Sequence, residues 1–156
     1  MEASYKENYG KQLHKLLNSV QKSQKRYHEA SEKISSAEIK ELFDRFAHQR
    51  DEIMGELREA INHWDPSSND DLIVDPGVSN WNSSNPENSK SDQSVLESIR
   101  GTEQEVLDKY DDVLQGSILE EFDLKTMLMS HRLTINEAFA ELDKKYFALF
   151  KLSQPY

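Results

Sequence analysis

A chain of 156 residues is the size of one ordinary domain with one core, and residues 1–156 are read as a single unit. Its formal net charge of −10 argues against nucleic-acid or anionic-membrane binding, since both need basic patches. Cysteine is absent, which excludes disulfides, thiolate nucleophiles and thiolate metal sites.

The first helix is predicted over about 5–34. Leu13, Leu16, Leu17, Val20, Tyr27, Ala30 and Ile34 recur at three- and four-residue steps, the signature of a core-facing stripe. Ser35-Ser36-Ala37-Glu38 then reads as a capping box, with a hydroxyl and a carboxylate placed to satisfy orphan amides. The second helix follows over about 36–63, striped by Ile39, Leu42, Phe43, Phe46, Ile53, Leu57 and Ile61. So short a turn implies antiparallel neighbours.

Residues 64–91 form a spacer rich in Ser, Asn, Asp and Pro. Leu72-Ile73-Val74 and Trp81 are apolar islands within it. The third helix is predicted over about 92–115, striped by Val95, Leu96, Ile99, Val106, Tyr110, Val113 and Leu114. Gly116 is placed as a C′ residue in the left-handed region. Ser117-Ile118-Leu119-Glu120 reads as a second capping box, opening a fourth helix over about 118–151 with Leu124, Leu128, Ile135, Ala138 and Leu142 inward. All four prolines, at 66, 76, 86 and 155, fall outside the predicted helices.

Helices of this length span roughly 40 Å, and the spacer can reach roughly 90 Å when extended. It is therefore long enough to run the length of a bundle. An up-down-up-down bundle needs only a few residues there. The expected fold is all-α: a ferritin-like four-helix bundle of two antiparallel hairpins joined by a long crossover.

One polar residue interrupts each stripe near mid-helix: Gln24, Arg50, Glu103 and His131. Each keeps its stripe's spacing, so all four are expected to point inward and share a polar layer. Ferritin-like di-iron proteins hold metal in such a layer with a Glu from each of two helices and Glu-x-x-His from the other two. Here Leu128 precedes His131 at i−3, and Arg45 precedes His48. A guanidinium has no lone pair for iron. The layer is therefore read as structural, with Arg50 and Glu103 as an ion pair supported by Gln24 and His131. No catalytic or cofactor-binding residue is assigned, and no metal site. Glu103 and His131 are the weak candidates should iron, manganese or zinc bind at a degenerate site.

Asp44 and His48 stand at i, i+4, and His63 and Asp65 close the second helix, where a histidine beside the helix dipole needs no further role. Tyr27 and Tyr110 read as amphipathic core residues. Tyr146, Phe147, Leu149, Phe150 and Leu152 are apolar on too many sides for one stripe. They are read as cover for the crossover or as a dimer contact. The amino-terminal residues carry no apolar leader, and no apolar run is long enough to cross a bilayer, so a cytoplasmic protein is expected.

Leu13-His14-Lys15-Leu16-Leu17 with Tyr27-His28-Glu29-Ala30 resembles the first helix of a bacterial ferritin-like family of unknown function. Ile39-Lys40-Glu41-Leu42-Phe43, Arg50 and Leu57 are similar to its second. Val95-Leu96-Glu97, Glu103 and Tyr110 are similar to its third, and Trp81 falls near a tryptophan of its crossover. A small Asp-Gly step usual in that first helix is Lys22-Ser23 here, and the fourth helix matches loosely. The resemblance implies the bundle and no established activity, with Arg50 and Glu103 at characteristic positions. The reading that follows is a non-enzymatic structural, stress-associated or interacting bundle protein. Two alternatives stand beside it. One is a metal-binding or oxidoreductive protein with a degenerate mid-bundle site. The other is a helical adaptor binding a partner through its C-terminal aromatic surface. A homodimer or a helical protein is the expected partner.

Overall fold

The structure is a computed structural model that describes residues 2–66, 91–116 and 120–151. Among these the chain is helical and has no strand. Its helices are α1 (Glu2–Lys33), α2 (Ala37–Trp64), α3 (Asp92–Leu114) and α4 (Phe122–Tyr146), the last running into a π-helical turn at Phe147–Lys151. Most of the spacer, with Leu72-Ile73-Val74 and Trp81, lies outside the described residues, as do Ser117-Ile118-Leu119 and Leu152. None of the described helices is long and apolar enough to cross a membrane.

The inward stripes explain the helices' burial. Leu13, Leu16, Leu17, Val20, Phe43, Leu57, Ile61, Val95, Leu96, Leu128 and Ile135 are all sealed from solvent. At roughly 1.5–3 kcal/mol for each large apolar side chain, this burial is the main favourable term holding the helices together. The core divides into two clusters. One gathers Leu13 to Val20, Ile53 to Ile61, Val106 to Val113 and Leu124 to Ile135. The other gathers Tyr27 to Ile34, Ile39 to Ala47, Val95 to Ile99 and Ala138 to Tyr146.

Pairings between helices follow a regular numbering. Between α1 and α2, Tyr9 packs edge-on against Trp64, Ser23 meets Arg50, and Ser31 donates to Asp44. Between α1 and α3, Ser23 donates to Glu103, and the Ser35 amide donates to Asp92. Between α3 and α4, Arg100 pairs with Asp143 and Tyr110 meets His131. In each case partner numbers fall on one helix as they rise on the other.

Three local expectations change. The cap of α2 is Ser36, whose hydroxyl accepts from the Ile39 amide at 3.3 Å; Ser35 lies one residue outside the helix. With the start moved by one residue, Ser35 is free to donate its amide to Asp92, and Glu38 pairs with Lys145 across to α4 instead of reaching back. Gly116 does not take the left-handed conformation, because Gln115 stays right-handed and the amides of both residues tie back to Asp111 and Val113. The fourth helix starts at Phe122 rather than 118, capped by Glu121, which accepts from the Asp123 amide at 3.2 Å.

At the other end of α4, the π-helical turn re-aims a segment too apolar for one stripe. Tyr146 is buried and Phe150 packs against the core, while Phe147 and Leu149 stay exposed.

Candidate functional site

Among the described residues, Arg50 and Glu103 are the charged side chains with no exposed surface, and they face each other from α2 and α3. They sit where the two apolar clusters meet: Ala47 and Ile99 belong to one cluster, Ile53 and Val106 to the other. Arg50 Nη2 donates to Glu103 Oε2. Ser23 on α1 closes the arrangement. Its hydroxyl donates to Glu103 Oε1 at 2.7 Å and accepts from Arg50 Nε at 3.4 Å. Both carboxylate oxygens thus receive a hydrogen-bond donor, which offsets part of the cost of burying them. Three helices are tied at one level by these groups.

Tyr27 completes the cluster. The Arg50 guanidinium lies 5.6 Å from the centre of its ring, a cation–π distance. Burial raises the phenol well above its ordinary value, and the neighbouring Glu103 charge adds to the rise, so the hydroxyl keeps its proton. The Tyr27 hydroxyl and Arg50 Nη1 are buried without a hydrogen-bond partner of good geometry among the described residues. An unmet buried polar group costs on the order of 1–3 kcal/mol, and for Tyr27 the adjacent Glu103 and Arg50 offset part of it.

Gln24 is not part of this layer. It is half-buried and bonds outward, to Asp51 at 2.6 Å, beside His28. Ser23, one residue earlier, takes the inner position. Gln24 keeps the four-and-three spacing from Val20 to Tyr27 as well as Ser23 does, and a small serine in a polar helix gives little sequence signal.

His131 is buried but not at the level of the ion pair. It lies among residues of the first apolar cluster, where its Nδ1 meets the Tyr110 hydroxyl at 3.2 Å and its Nε2 meets Glu56 at 2.9 Å. Burial lowers its proton affinity, and the hydrogen bond and charge of Glu56 offset part of that. A neutral ring with the proton on Nε2 suits both partners: it donates to Glu56 and accepts from Tyr110. Burial also raises the Tyr110 phenol, although the Arg50 charge opposes this, so Tyr110 remains a donor. Glu56 is exposed, and the Tyr110–His131–Glu56 chain therefore reaches from core to surface. Sequence reasoning missed Glu56 because it stands on the solvent side of the α2 stripe.

The other candidates are dispersed. Asp44 accepts from Ser31, and His48 turns to Glu52 at 3.4 Å. His63 packs edge-on against Trp64, and the Asp65 amide closes α2 on the Ile61 carbonyl.

A di-iron centre, which a ferritin-like fold would suggest, does not fit these side chains. The layer supplies one carboxylate, already held by two donors, and a guanidinium that repels cations. His131 and Glu103, the weak metal candidates, are not brought together. Among the described residues, no three His, Asp or Glu side chains converge as a metal-binding group.

Residues 8–116 match the model of a family described as Domain of unknown function (DUF2383). The match spans most of α1 and all of α2 and α3, including Ser23, Arg50 and Glu103; α4 and His131 lie beyond it. No curated protein and no solved structure matches the chain.

Proposed function

The chain belongs to that family, and from this premise we propose that it is a non-enzymatic bundle protein of ferritin-like architecture acting through association. The numbering of the helix pairs supports the architecture. α1 pairs in opposite sense with both α2 and α3, so α2 and α3 run the same way. On this reading α2 ends and α3 begins at opposite ends of the bundle, a separation that a spacer of the length of 64–91 can cover. Two antiparallel hairpins joined by one crossover satisfy both conditions. A cytoplasmic setting belongs to the same proposal.

The single observation that carries the non-enzymatic reading is Arg50, a buried cation where a metal-dependent bundle would place ligands. Its pairing with Glu103 serves to set helix register, the best-attested use of buried polar groups. Metal analysis of protein purified without chelator tests it. The expected result is no stoichiometric metal. Iron, manganese or zinc bound one per chain and lost on Glu103→Gln would overturn the reading in favour of a degenerate metal or redox site.

A further inference from the structure

The outer face of α4 carries the longest apolar line on the described surface. Phe122, Met129, Leu133 and Phe147 are 75%, 52%, 59% and 44% exposed. With Thr126, Asn136 and Ala140, also exposed, they fall at alternating steps of four and three residues from 122 to 140; the next step is Asp143, which pairs with Arg100, and Phe147 is the one after. That spacing matches the seam of a two-stranded coiled coil, with Thr126 and Asn136 as polar steps within it. It lies opposite the buried face of the same helix, which uses Leu124, Leu128, Ile135 and Leu142. α4 is therefore apolar on two sides, and one of them has no partner within the described residues.

The charges beside this line have a direction. Lys125 and Arg132 stand along one edge; Asp123 and Glu137 stand along the other, with Lys144 at its far end. An antiparallel pair of such helices sets basic edge against basic edge. A parallel pair sets basic against acidic, and brings Arg132 of one copy beside Glu137 of the other, five positions on. Arg132 already binds Asp111 of its own chain through Nε and Nη2, and Nη1 takes no part in that pair. We propose that α4 is a self-association surface on which a second copy of this chain packs its own α4 in parallel about a two-fold axis. Asn136 then meets Asn136 across the axis, a polar contact of the kind that fixes register.

This inference deepens the association reading and rests on it. Sedimentation equilibrium of the full chain tests the surface. The expected result is a dimer whose dissociation constant rises at least about ten-fold in Met129→Glu and in Leu133→Glu, with helix content unchanged. A wild-type monomer at millimolar concentration, or a dimer indifferent to both changes, overturns the proposal and leaves the stripe to an unrelated helix. Orientation is tested by oxidation, because the native chain has no cysteine. Thr126→Cys and Ala140→Cys should each form a disulfide-linked dimer alone. A link formed only when the two variants are mixed overturns the parallel arrangement. A monomer that keeps the Arg50–Glu103 coupling described below fails this pairing without touching the polar-layer reading.

Discussion

Removing Glu103 alone leaves a guanidinium with no solvent exposure, one weak hydroxyl contact at 3.4 Å and the face of Tyr27. Removing Arg50 alone leaves a buried carboxylate with Ser23 as its one remaining donor. Breaking one side of a buried pair costs about 3–5 kcal/mol, because the surviving charge loses its counter-charge and gains no water. Against a total stability of about 5–15 kcal/mol for a domain, either loss is severe. Arg50→Met with Glu103→Leu removes both charges and fills much of the same volume, and such replacements are commonly neutral or stabilising by about 1–4 kcal/mol. The double variant also removes the orphaned Arg50 Nη1. The expected outcome is that each single variant falls far below wild type while the double variant recovers most or all of the loss. Urea unfolding followed by far-ultraviolet circular dichroism measures all four proteins, with a common slope as the check on two-state behaviour. Single-variant losses that add to within about 0.5 kcal/mol in the double variant would refute the coupling and, with it, the structural role of the layer.

His131 supplies a pH dependence. Its folded proton affinity is lowered, so between that depressed value and about pH 6.5 the unfolded chain binds more protons, and stability rises with pH. Acidifying below about pH 6.5 should therefore destabilise the fold, and His131→Gln should flatten that limb; identical pH–stability curves would count against the assignment. Glycine substitutions should divide by position. A β-carbon at Gly10 would stand 2.6 Å from Asp65 Oδ2 and 2.7 Å from its β-carbon, so Gly10→Ala should destabilise by at least about 1 kcal/mol as α1 and the end of α2 are pushed apart. Gly55 and Gly101 meet nothing within 4 Å, and Gly55→Ala and Gly101→Ala should each gain roughly 0.5–1 kcal/mol of helix stability in thermal melts.

Much of the helical organisation was legible in the residues because a helix announces its buried face by its own period. The stripes of Leu13 to Ile34, Ile39 to Ile61, Val95 to Val113 and Leu124 to Leu142 are the observed core, and Arg50 and Glu103 are inward as their spacing requires. The boundaries erred by one to four residues where several hydroxyl and carboxylate groups compete to cap. Ser36 rather than Ser35 caps α2, and the fourth helix opens at Phe122. The α4 surface was only partly legible. Its exposed stripe shares a helix with the core stripe, and the aromatic run near Tyr146 gives a stronger signal than the thinner line along the outer face.

What the sequence alone determined is angular: which side of each helix turns inward. What only the tertiary structure decided is axial: which inward residues lie at the same height. Gln24, Arg50, Glu103 and His131 looked like one layer because each falls near the middle of its own helix. In the fold, Ser23 meets Arg50 and Glu103 on one level, while His131 lies with Tyr110 and Glu56 on another. The hydrophobic period specifies rotation about a helix's own axis, but it carries no information on how far one helix slides along the next. That offset is set by turn lengths and by the interlocking of side chains between helices.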